Sequence, residues 1–298
     1  MTMLKMAIAQ AMLHWGFWIR YPLASARQDT YVVPQPSTLV GALGAGLARA
    51  ISGLCGVAIP EIIHNPLARD MQSRYSVPII TSILPAIKDV YFRVLSGWGI
   101  RTTDITRHFQ GTYIRVEDLK DPSQWFAVRV TGKVYAPLME VEIAYLVNTE
   151  KLREVLSNIG CNASAEEMLL YGLASINRLG PVEGVLTITK IGVFDVEETR
   201  NKLMKEPCPY FRVSHIPNNL VSDISIMEFW DWSRAEFWSG LRIPNPSYTL
   251  KYVVPLSKSI LDSGIIMPFK QCVLIKDIIN DVYLVKVNGN EYTYPKPQ

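Results

Sequence analysis

The sequence predicts an α+β fold: a ferredoxin-like (RRM-like) domain with an inserted β-hairpin, followed by a smaller β-rich C-terminal region. The first observation is the order of elements, which runs strand, helix, β-rich insertion, strand, helix, strand. The second is the remainder of the chain, where short β-like runs alternate with prolines. The predicted domain spans residues 1–196, with the insertion at about 88–130, and the C-terminal region spans 197–298.

The first half of the domain carries three predicted strands and one helix. Apolar runs with weak alternation predict a central strand over residues 4–14 and further strands over 76–84 and 90–95. Small and apolar residues predict a helix from 37 to about 52. Its glycines lower helix propensity by roughly 1 kcal/mol each, so we expect that helix face to press against a sheet.

The second half of the domain has stronger signals. Residues 139–147 alternate strongly, with Met139, Val141, Ile143, Tyr145 and Val147 on one face, which predicts a strand. Helices are predicted over 149–158 and 164–177, the second with Ser164 as its N-cap. A strand over 185–196 then completes the predicted domain.

Charge is distributed unevenly along the chain. The net charge is only +3, so the total does not indicate a strongly basic nucleic-acid-binding protein. Residues 1–133 carry 14 Lys and Arg against 8 Asp and Glu, whereas residues 134–298 carry 16 against 19. This asymmetry favours one basic face, although an imbalance of this size also arises by chance.

The cysteines and the apolar stretches limit the classes of protein that are compatible with the sequence. The four cysteines, Cys55, Cys161, Cys208 and Cys272, form no CxxC pair. We therefore expect reduced thiols, a cytoplasmic location, no metal and no cofactor.

Residues 39–59 form an apolar stretch that is nearly long enough to cross a bilayer. The central Arg49 would cost about 2.5–3.5 kcal/mol in lipid, so we predict a buried helix and no membrane association.

A stretch near the N-terminus joins an arginine-bearing loop to a rigid turn and a helix. Because Pro34 and Pro36 fix φ, the chain is predicted to stay extended up to that point, with Ser37 as the helix N-cap. Unpaired amides at a helix start attract anions, and Arg27 and Gln28 lie just upstream. The stretch suits a phosphate; an ordinary loop-to-helix transition is the alternative.

The insertion interleaves cations with flat side chains. Single-stranded RNA is held by this mixture, since phosphates need cations and unstacked bases need aromatic faces. The alternative is a solvated hairpin with a few buried aromatics. The residues concerned are Arg93, Trp98, Arg101, Arg107, His108 and Phe109.

A glycine-rich loop follows the second predicted helix. Arg178 opens it, and Gly180 and Gly184 allow a backbone to approach a ligand closely. Helix-to-strand turns also use glycine for purely structural reasons, so the loop alone is a weak motif.

Together the two motifs resemble the fifth Cascade subunit family of CRISPR systems, part of the RAMP superfamily, and its archaeal type I-A branch in particular. The Pro34-to-Leu39 run and the Arg178-to-Gly184 loop carry the resemblance, which covers about residues 4–196. It implies a non-catalytic subunit that caps the 5′ handle of the crRNA. It also implies contacts with the repeated backbone subunit and the large subunit, and with target DNA only through the complex. The insertion would be the family's thumb hairpin.

Residue chemistry and resemblance together predict an RNA-binding surface. The predicted contacts are Arg20, Arg27, Gln28, Tyr31, Ser37, Thr38, Arg93, Trp98, Arg101, Arg107, His108, Phe109, Arg178, Gly180 and Gly184.

Two other functions are compatible with the sequence. An endoribonuclease that processes CRISPR repeat RNA could use His14 and Tyr31 in acid–base chemistry. A β-rich protein-interaction scaffold without RNA binding could use the aromatic cluster over 228–238, although core packing is the simpler role of that cluster. The sequence has no motif of the common hydrolases or NTPases, so we predict no catalysis.

Overall fold

Antiparallel pairing of strands from distant parts of the chain organises the molecule. The computed structural model describes residues 4–19, 27–58, 79–109, 126–180, 183–200, 206–214, 224–234, 237–238, 248–272, 279 and 281–296. Side chains at 27–28, 106–109 and 126–130 lie outside that description. The strands are β1 (Leu4–Leu13), β2 (Gly16–Phe17), β3 (Arg27–Gln28), β4 (Ile87–Ser96), β5 (Gly99–Phe109), β6 (Phe126–Tyr135), β7 (Glu140–Asn148), β8 (Leu186–Asp195), β9 (Glu197–Arg200), β10 (Phe211–Val213), β11 (Ser225–Trp230), β12 (Thr249–Val254), β13 (Ile265–Ile266), β14 (Asp281–Val287) and β15 (Asn290–Pro295).

The described helices are fewer and lie mainly in the first two thirds of the chain. They are α1 (Pro36–Cys55), α2 (Ile80–Ile83), α3 (Thr149–Asn158), α4 (Ala165–Ala174) and α5 (Lys258–Asp262), with a 3₁₀ turn at Leu84–Ala86. Mixed helices and antiparallel sheets confirm the predicted α+β class at this level. The strand predicted over 76–84 is wrong in its described part, which is α2 and the 3₁₀ turn.

The first sheet has the order β4-β7-β1-β8, and all its pairs are antiparallel. The predicted strand and its apolar face are confirmed in β7, because Val141, Ile143, Tyr145 and Val147 are all buried on the face that holds the helices. The opposite face of β7 is buried too. The Tyr145 hydroxyl donates a hydrogen bond of 2.8 Å to the carbonyl of Leu39 in α1. Sheet and helix are thereby joined through a buried polar contact as well as apolar packing.

Helix α1 starts one residue earlier than predicted. Pro36 is its first residue, and the N-cap is Gln35, which makes no side-chain capping bond. The assignment of Ser37 as N-cap is therefore wrong. The helix is long and apolar enough to cross a membrane by length and composition, but Leu39, Leu43 and Leu47 are buried in the core. These contacts identify α1 as a core helix.

The small residues of α1 contact another helix rather than the sheet. A Cβ at Gly46 would collide with the carbonyl of Gly172 in α4, so the two backbones meet here directly. The expectation that the glycines press on a sheet is wrong at this position. Close approach of the two helices requires a residue without a side chain.

The β5–β6 hairpin lies between β4 and β7 in sequence and forms a second sheet. Its order is β13-β5-β6-β2, and β3 pairs in parallel with β6. The predicted insertion begins too early, because residues 87–96 form β4 of the first sheet. The described hairpin strands run from Gly99 to Phe109 and from Phe126 to Tyr135.

The C-terminal region covers the face of the first sheet that lies opposite the helices. Two three-stranded sheets, β10-β12-β11 and β15-β14-β9, form this region, as its predicted β-rich character requires. Met6, Ile8 and Tyr91 of the first sheet pack with Phe211 and Val282 of the region in one buried cluster. Trp232, from the predicted aromatic cluster, is also buried. The part of this face that stays open forms a cleft lined by Ile8, Gln10 and Glu142 beside β8.

A buried ion pair within the first sheet forms hydrogen bonds with the C-terminal region. Arg93 and Glu142 form a salt bridge with an N–O distance of 2.8 Å, and each side chain is only 2% exposed. Tyr294 donates a hydrogen bond of 2.7 Å to the same carboxylate, and Arg93 donates one of 3.0 Å to the carbonyl of Pro207. Arg93 was predicted to contact RNA, and this is wrong because its guanidinium is enclosed and already paired.

The four cysteines are joined in two disulfides. Cys55 pairs with Cys161 and Cys208 pairs with Cys272, at Cα–Cα distances of 5.2 and 4.6 Å. The expectation of four reduced thiols is therefore wrong. Sequence spacing gave no sign of the pairs, because their members are 106 and 64 residues apart.

Asp89 makes the stability of the fold depend on pH. It is fully buried, and burial raises the pKa of its carboxyl from 3.8 to about 6, although Arg212 opposes the change. Because the folded pKa is raised, the stabilising contribution is fully present below about pH 4 and is lost as pH rises through about 6. The difference corresponds to about 3 kcal/mol.

We therefore expect Asp89→Asn to flatten the fall in stability between pH 4.5 and 7.5 and to be more stable than wild type at pH 7.5. Urea unfolding of both proteins at the two pH values measures this. Parallel pH profiles for the two proteins would show that Asp89 does not titrate in this range.

Candidate nucleic-acid interface

The RNA contacts predicted next to α1 are buried or half-buried. Tyr31 is 6% exposed, and its ring lies 5.3 Å from that of Phe229, so it is a core residue and not an RNA contact. Ser37 is also buried, which closes the start of α1 to a phosphate. Thr38 is half-buried, and its amide donates to the carbonyl of Gln35. The anion site predicted at this helix start is therefore wrong.

Two of the upstream residues border the second sheet. Arg27 and Gln28 form β3 and pair with Val130 and Thr131 of β6, while their side chains lie outside the described part. Arg20 lies outside the described residues altogether. The backbone of the arginine loop is thus attached to the hairpin rather than to the first sheet.

The hairpin residues predicted to bind RNA fall into three groups. Trp98 is 67% exposed at the turn between β4 and β5. Arg101 is partly exposed and lies 3.5 Å from the Asp29 carboxylate. The side chains of Arg107, His108 and Phe109 lie outside the described part, so only their positions in β5 are known.

The glycine loop is built by a tight backbone turn. The amide of Leu179 donates a hydrogen bond of 2.7 Å to the carbonyl of Gly184, and a Cβ at Gly184 would collide with the Leu179 carbonyl. Gly180 adopts φ +75° beside the carbonyl of Trp18. Gly184 therefore has a structural role, whereas Gly180 is exposed and Arg178 is exposed beside it.

A solvent-open cleft of about 260 Å³ lies where this loop meets the second sheet. Its walls are mostly apolar, and two aromatic side chains stand in solvent, Trp15 at 68% and Tyr135 at 42% exposure. The lining residues are Trp15, Gly16, Phe17, Trp18, Lys133, Val134, Tyr135, Glu183 and Val185.

Three backbone contacts hold the cleft together. The amide of Ala136 donates a hydrogen bond of 2.8 Å to the carbonyl of Trp15. The amide of His14 donates one of 3.1 Å to the carbonyl of Val185. The backbone of Arg178 forms a bridge with Val185, one of the lining residues. The end of β1 therefore joins the glycine loop to the edge of the second sheet.

The charged groups of the cleft are nearly balanced. Lys133 lies 2.9 Å from the Asp104 carboxylate. The hydrogen bond to Asp104 raises the pKa of Lys133 above its usual value, and the nearby Glu183 carboxylate raises it further. The charged groups that line the cleft are thus one ammonium, of Lys133, and one carboxylate, of Glu183, so the cleft itself carries no excess positive charge.

Trp15, Tyr135 and Glu183 line the cleft but are not among the contacts predicted from the sequence. They lie far apart in the chain, and only the pairing of β2 with β6 and the loop contact bring them together. The aromatic-rich run that begins at Trp15 is the one signal that could have indicated part of the cleft.

The residues proposed for the nuclease alternative are not arranged together at a surface. The ring of His14 is exposed and lies 2.8 Å from the Thr187 hydroxyl, whereas Tyr31 is in the core. Within the described residues, no group of three or more His, Cys, Asp or Glu could hold a metal ion.

A second, larger cleft of about 620 Å³ lies beside β8 and the β14–β15 hairpin. It contains none of the residues predicted from the two motifs. Gln10, Glu142, Lys190 and Tyr292 contribute to its lining, and Glu142 is already engaged with Arg93.

Comparison with known proteins gives distant but consistent relatives. No family model matches the chain. The curated protein "CRISPR system aCascade subunit Cas5 1" of Saccharolobus solfataricus is 28% identical over 155 residues, which cover 50% of this chain and 57% of that protein. "CRISPR-associated protein Cas5 3" of the same organism is 22% identical over 247 residues, covering 82% and 85%. The chain spans less than two thirds of the length of the first relative. It also spans only 61% of a further relative from the same organism, "CRISPR-associated protein Cas5 2".

Solved structures give more remote matches. A CRISPR protein from Archaeoglobus fulgidus is 13% identical with a TM-score of 0.47, over 98% of this chain and 100% of that one. A chain of a CRISPR RNA-guided surveillance complex is 11% identical with a TM-score of 0.30, over 72% of both chains. The sequence matches agree with the resemblance seen in the motifs: the chain is similar to Cas5 proteins of Saccharolobus solfataricus, one of which is named as a subunit of its aCascade.

Proposed function

We propose that the chain is the non-catalytic crRNA-binding subunit of a type I CRISPR interference complex and that it caps the 5′ handle of the guide RNA. In this role it contacts the repeated backbone subunit and the large subunit in the cytoplasm, and meets target DNA only through the complex. The observation that carries the proposal is the aromatic cleft at the junction of the glycine loop and the second sheet, in a homologue of Cas5 proteins.

The strand order supports a ferredoxin-like domain. Numbered by their place among the four strands of the first sheet, β4-β7-β1-β8 read 2-3-1-4, all antiparallel. Helices α1 and α4 pack on one face, as in a split βαβ arrangement. On this basis we assign the β5–β6 hairpin, inserted between the second and third of these strands, as the thumb.

The chemistry of the cleft favours an unpaired nucleotide. Exposed aromatic rings stack on bases, and each such contact contributes about 1–3 kcal/mol. Much of the first-sheet face that an RRM would offer is covered by the C-terminal region, and the cleft that stays open on it contains none of the predicted contacts. We therefore place RNA along the second sheet and the glycine loop, with Trp15, Trp98 and Arg178 as contacts. Contacts at Arg20, Arg27, Gln28, Arg101, Arg107, His108, Phe109 and Gly180 stay predictions.

Binding of single-stranded handle RNA tests the proposal. We expect a log–log salt dependence with a slope of about −0.7 per neutralised phosphate. Arg178→Ala should make the slope less negative by about that amount. Trp15→Ala should weaken binding by about 1–3 kcal/mol with an unchanged slope, because it removes stacking and no charge. Fluorescence anisotropy over a range of salt concentrations measures both effects.

Arg200→Ala is the matched control, since Arg200 is an exposed arginine in the C-terminal region, paired with Asp281. It should bind like wild type. Wild-type affinity in both test variants would contradict the proposed surface. Incubation with repeat RNA in EDTA tests the catalytic part, because a single discrete cut that is lost in His14→Ala would favour the nuclease alternative.

A further inference from the structure

The cleft beside the glycine loop has the size of a base and not the charge of a phosphate site. Its volume of about 260 Å³ and its largely apolar walls suit one flat ring system between Trp15 and Tyr135. Phosphate sites need excess cations or free amides, whereas the ammonium of Lys133 is already paired with Asp104 and the cleft is also lined by the Glu183 carboxylate. The occupant should therefore be an uncharged aromatic group.

The polar groups that remain point to one kind of base. Glu183 is exposed and lines the cleft, and its carboxylate can only accept hydrogen bonds when ionised. The Watson–Crick edge of guanine presents two adjacent N–H donors, at N1 and N2, which match the two carboxylate oxygens. Adenine and cytosine present one donor beside an acceptor, and uracil presents one donor between two acceptors, so each brings a lone pair toward the carboxylate.

Lys133 complements this arrangement. An ammonium group carries three donors, and the bond of 2.9 Å to Asp104 engages one of them. Lys133 and Glu183 both line the cleft. The cleft thus offers a donor for the O6 acceptor of guanine and an acceptor for its N1–H and N2–H donors.

We propose that this cleft takes a single unstacked guanine of the bound RNA, with the base stacked on Trp15 or Tyr135 and its Watson–Crick edge read by Glu183. This proposal rests on the proposed RNA-binding function. It adds a sequence preference to a surface that otherwise recognises backbone charge and stacking.

Three ten-nucleotide RNAs test the preference: uridine only, the same strand with one central guanosine, and the same strand with one central inosine. Inosine keeps the ring and N1–H of guanine but lacks the 2-amino group. Wild-type protein should bind the guanosine strand about ten-fold more tightly than the uridine strand, within the range of a bidentate base contact. The inosine strand should lose most of that advantage.

The ratio of guanosine to uridine affinity is also measured in variants. It should fall to about one in Glu183→Gln, because the amide places an NH2 donor where one of the two acceptor oxygens of the carboxylate was. It should be kept in Glu197→Gln, a control on an exposed carboxylate paired with Lys286 outside the cleft. A ratio that persists in Glu183→Gln would overturn the role of Glu183.

Failure of this proposal is distinguishable from failure of the proposed function. Tight binding of all three RNAs with equal affinity would overturn the guanine preference and leave RNA binding intact. Absence of binding to any of the three strands by folded wild-type protein would overturn the RNA-binding function itself, and the preference with it.

Discussion

Arg93→Ala is expected to lower the free energy of unfolding by about 3–5 kcal/mol, because it leaves a buried carboxylate without its cation. The partner, Glu142, is 2% exposed and accepts hydrogen bonds from Arg93 at 2.9 Å and from Tyr294 at 2.7 Å. Removal of the guanidinium also removes the hydrogen bond that Arg93 donates to the Pro207 carbonyl. Since Pro207 and Tyr294 belong to the C-terminal region, the variant should loosen that region from the first sheet.

Urea unfolding of wild type and variant measures this loss. Glu197→Ala is the matched control, because its pair with Lys286 is exposed on both sides, and surface pairs contribute about 0–1 kcal/mol. The double variant Arg93→Met with Glu142→Leu should recover much of the loss, since it leaves no unpaired buried charge. Unchanged stability in Arg93→Ala together with weaker RNA binding would instead restore the sequence-based assignment of Arg93 as an RNA contact.

The parts of the fold that local pattern determines could be predicted from the sequence. The alternation of residues 139–147 indicated the strand and the apolar face that packs on the helices, and β7 has both. It did not indicate that the opposite face, with Ala144 and Leu146, is buried as well. Ser164 indicated the start of a helix, and its hydroxyl accepts a hydrogen bond from the Glu167 amide at the N-terminus of α4. Such signals depend only on neighbours within a few residues, so the sequence contains them in full.

The assignments that failed depend on which distant segments cover a side chain. Arg93 and Tyr31 look like surface residues beside an RNA-binding motif, yet the C-terminal region encloses one and Phe229 packs on the other. No periodicity within β4 shows that a later segment, more than a hundred residues away, supplies Pro207 and Tyr294. The cleft has the same origin, because Trp15, Tyr135 and Glu183 meet only through pairing between β2, β6 and the glycine loop.

Loss of the two disulfides should have an effect as large as loss of the buried ion pair. The bridges Cys55–Cys161 and Cys208–Cys272 close loops over sequence separations of 106 and 64 residues. In the chain-entropy account, loops of this length each contribute about 4–5 kcal/mol by restricting the unfolded chain. The first bridge ties the end of α1 to the segment after α3, and the second lies within the C-terminal region.

We expect each paired replacement, Cys55→Ala with Cys161→Ala or Cys208→Ala with Cys272→Ala, to lower the free energy of unfolding by about 2–5 kcal/mol. Thermal melts with and without a phosphine reductant measure the effect. Wild type should lose stability on reduction, whereas the variant that lacks all four cysteines should not respond and serves as the control. Wild-type protein that is unfolded without reductant and then alkylated shows whether the cysteines are paired. We expect no modified cysteine. Four modified cysteines would show that the thiols are reduced.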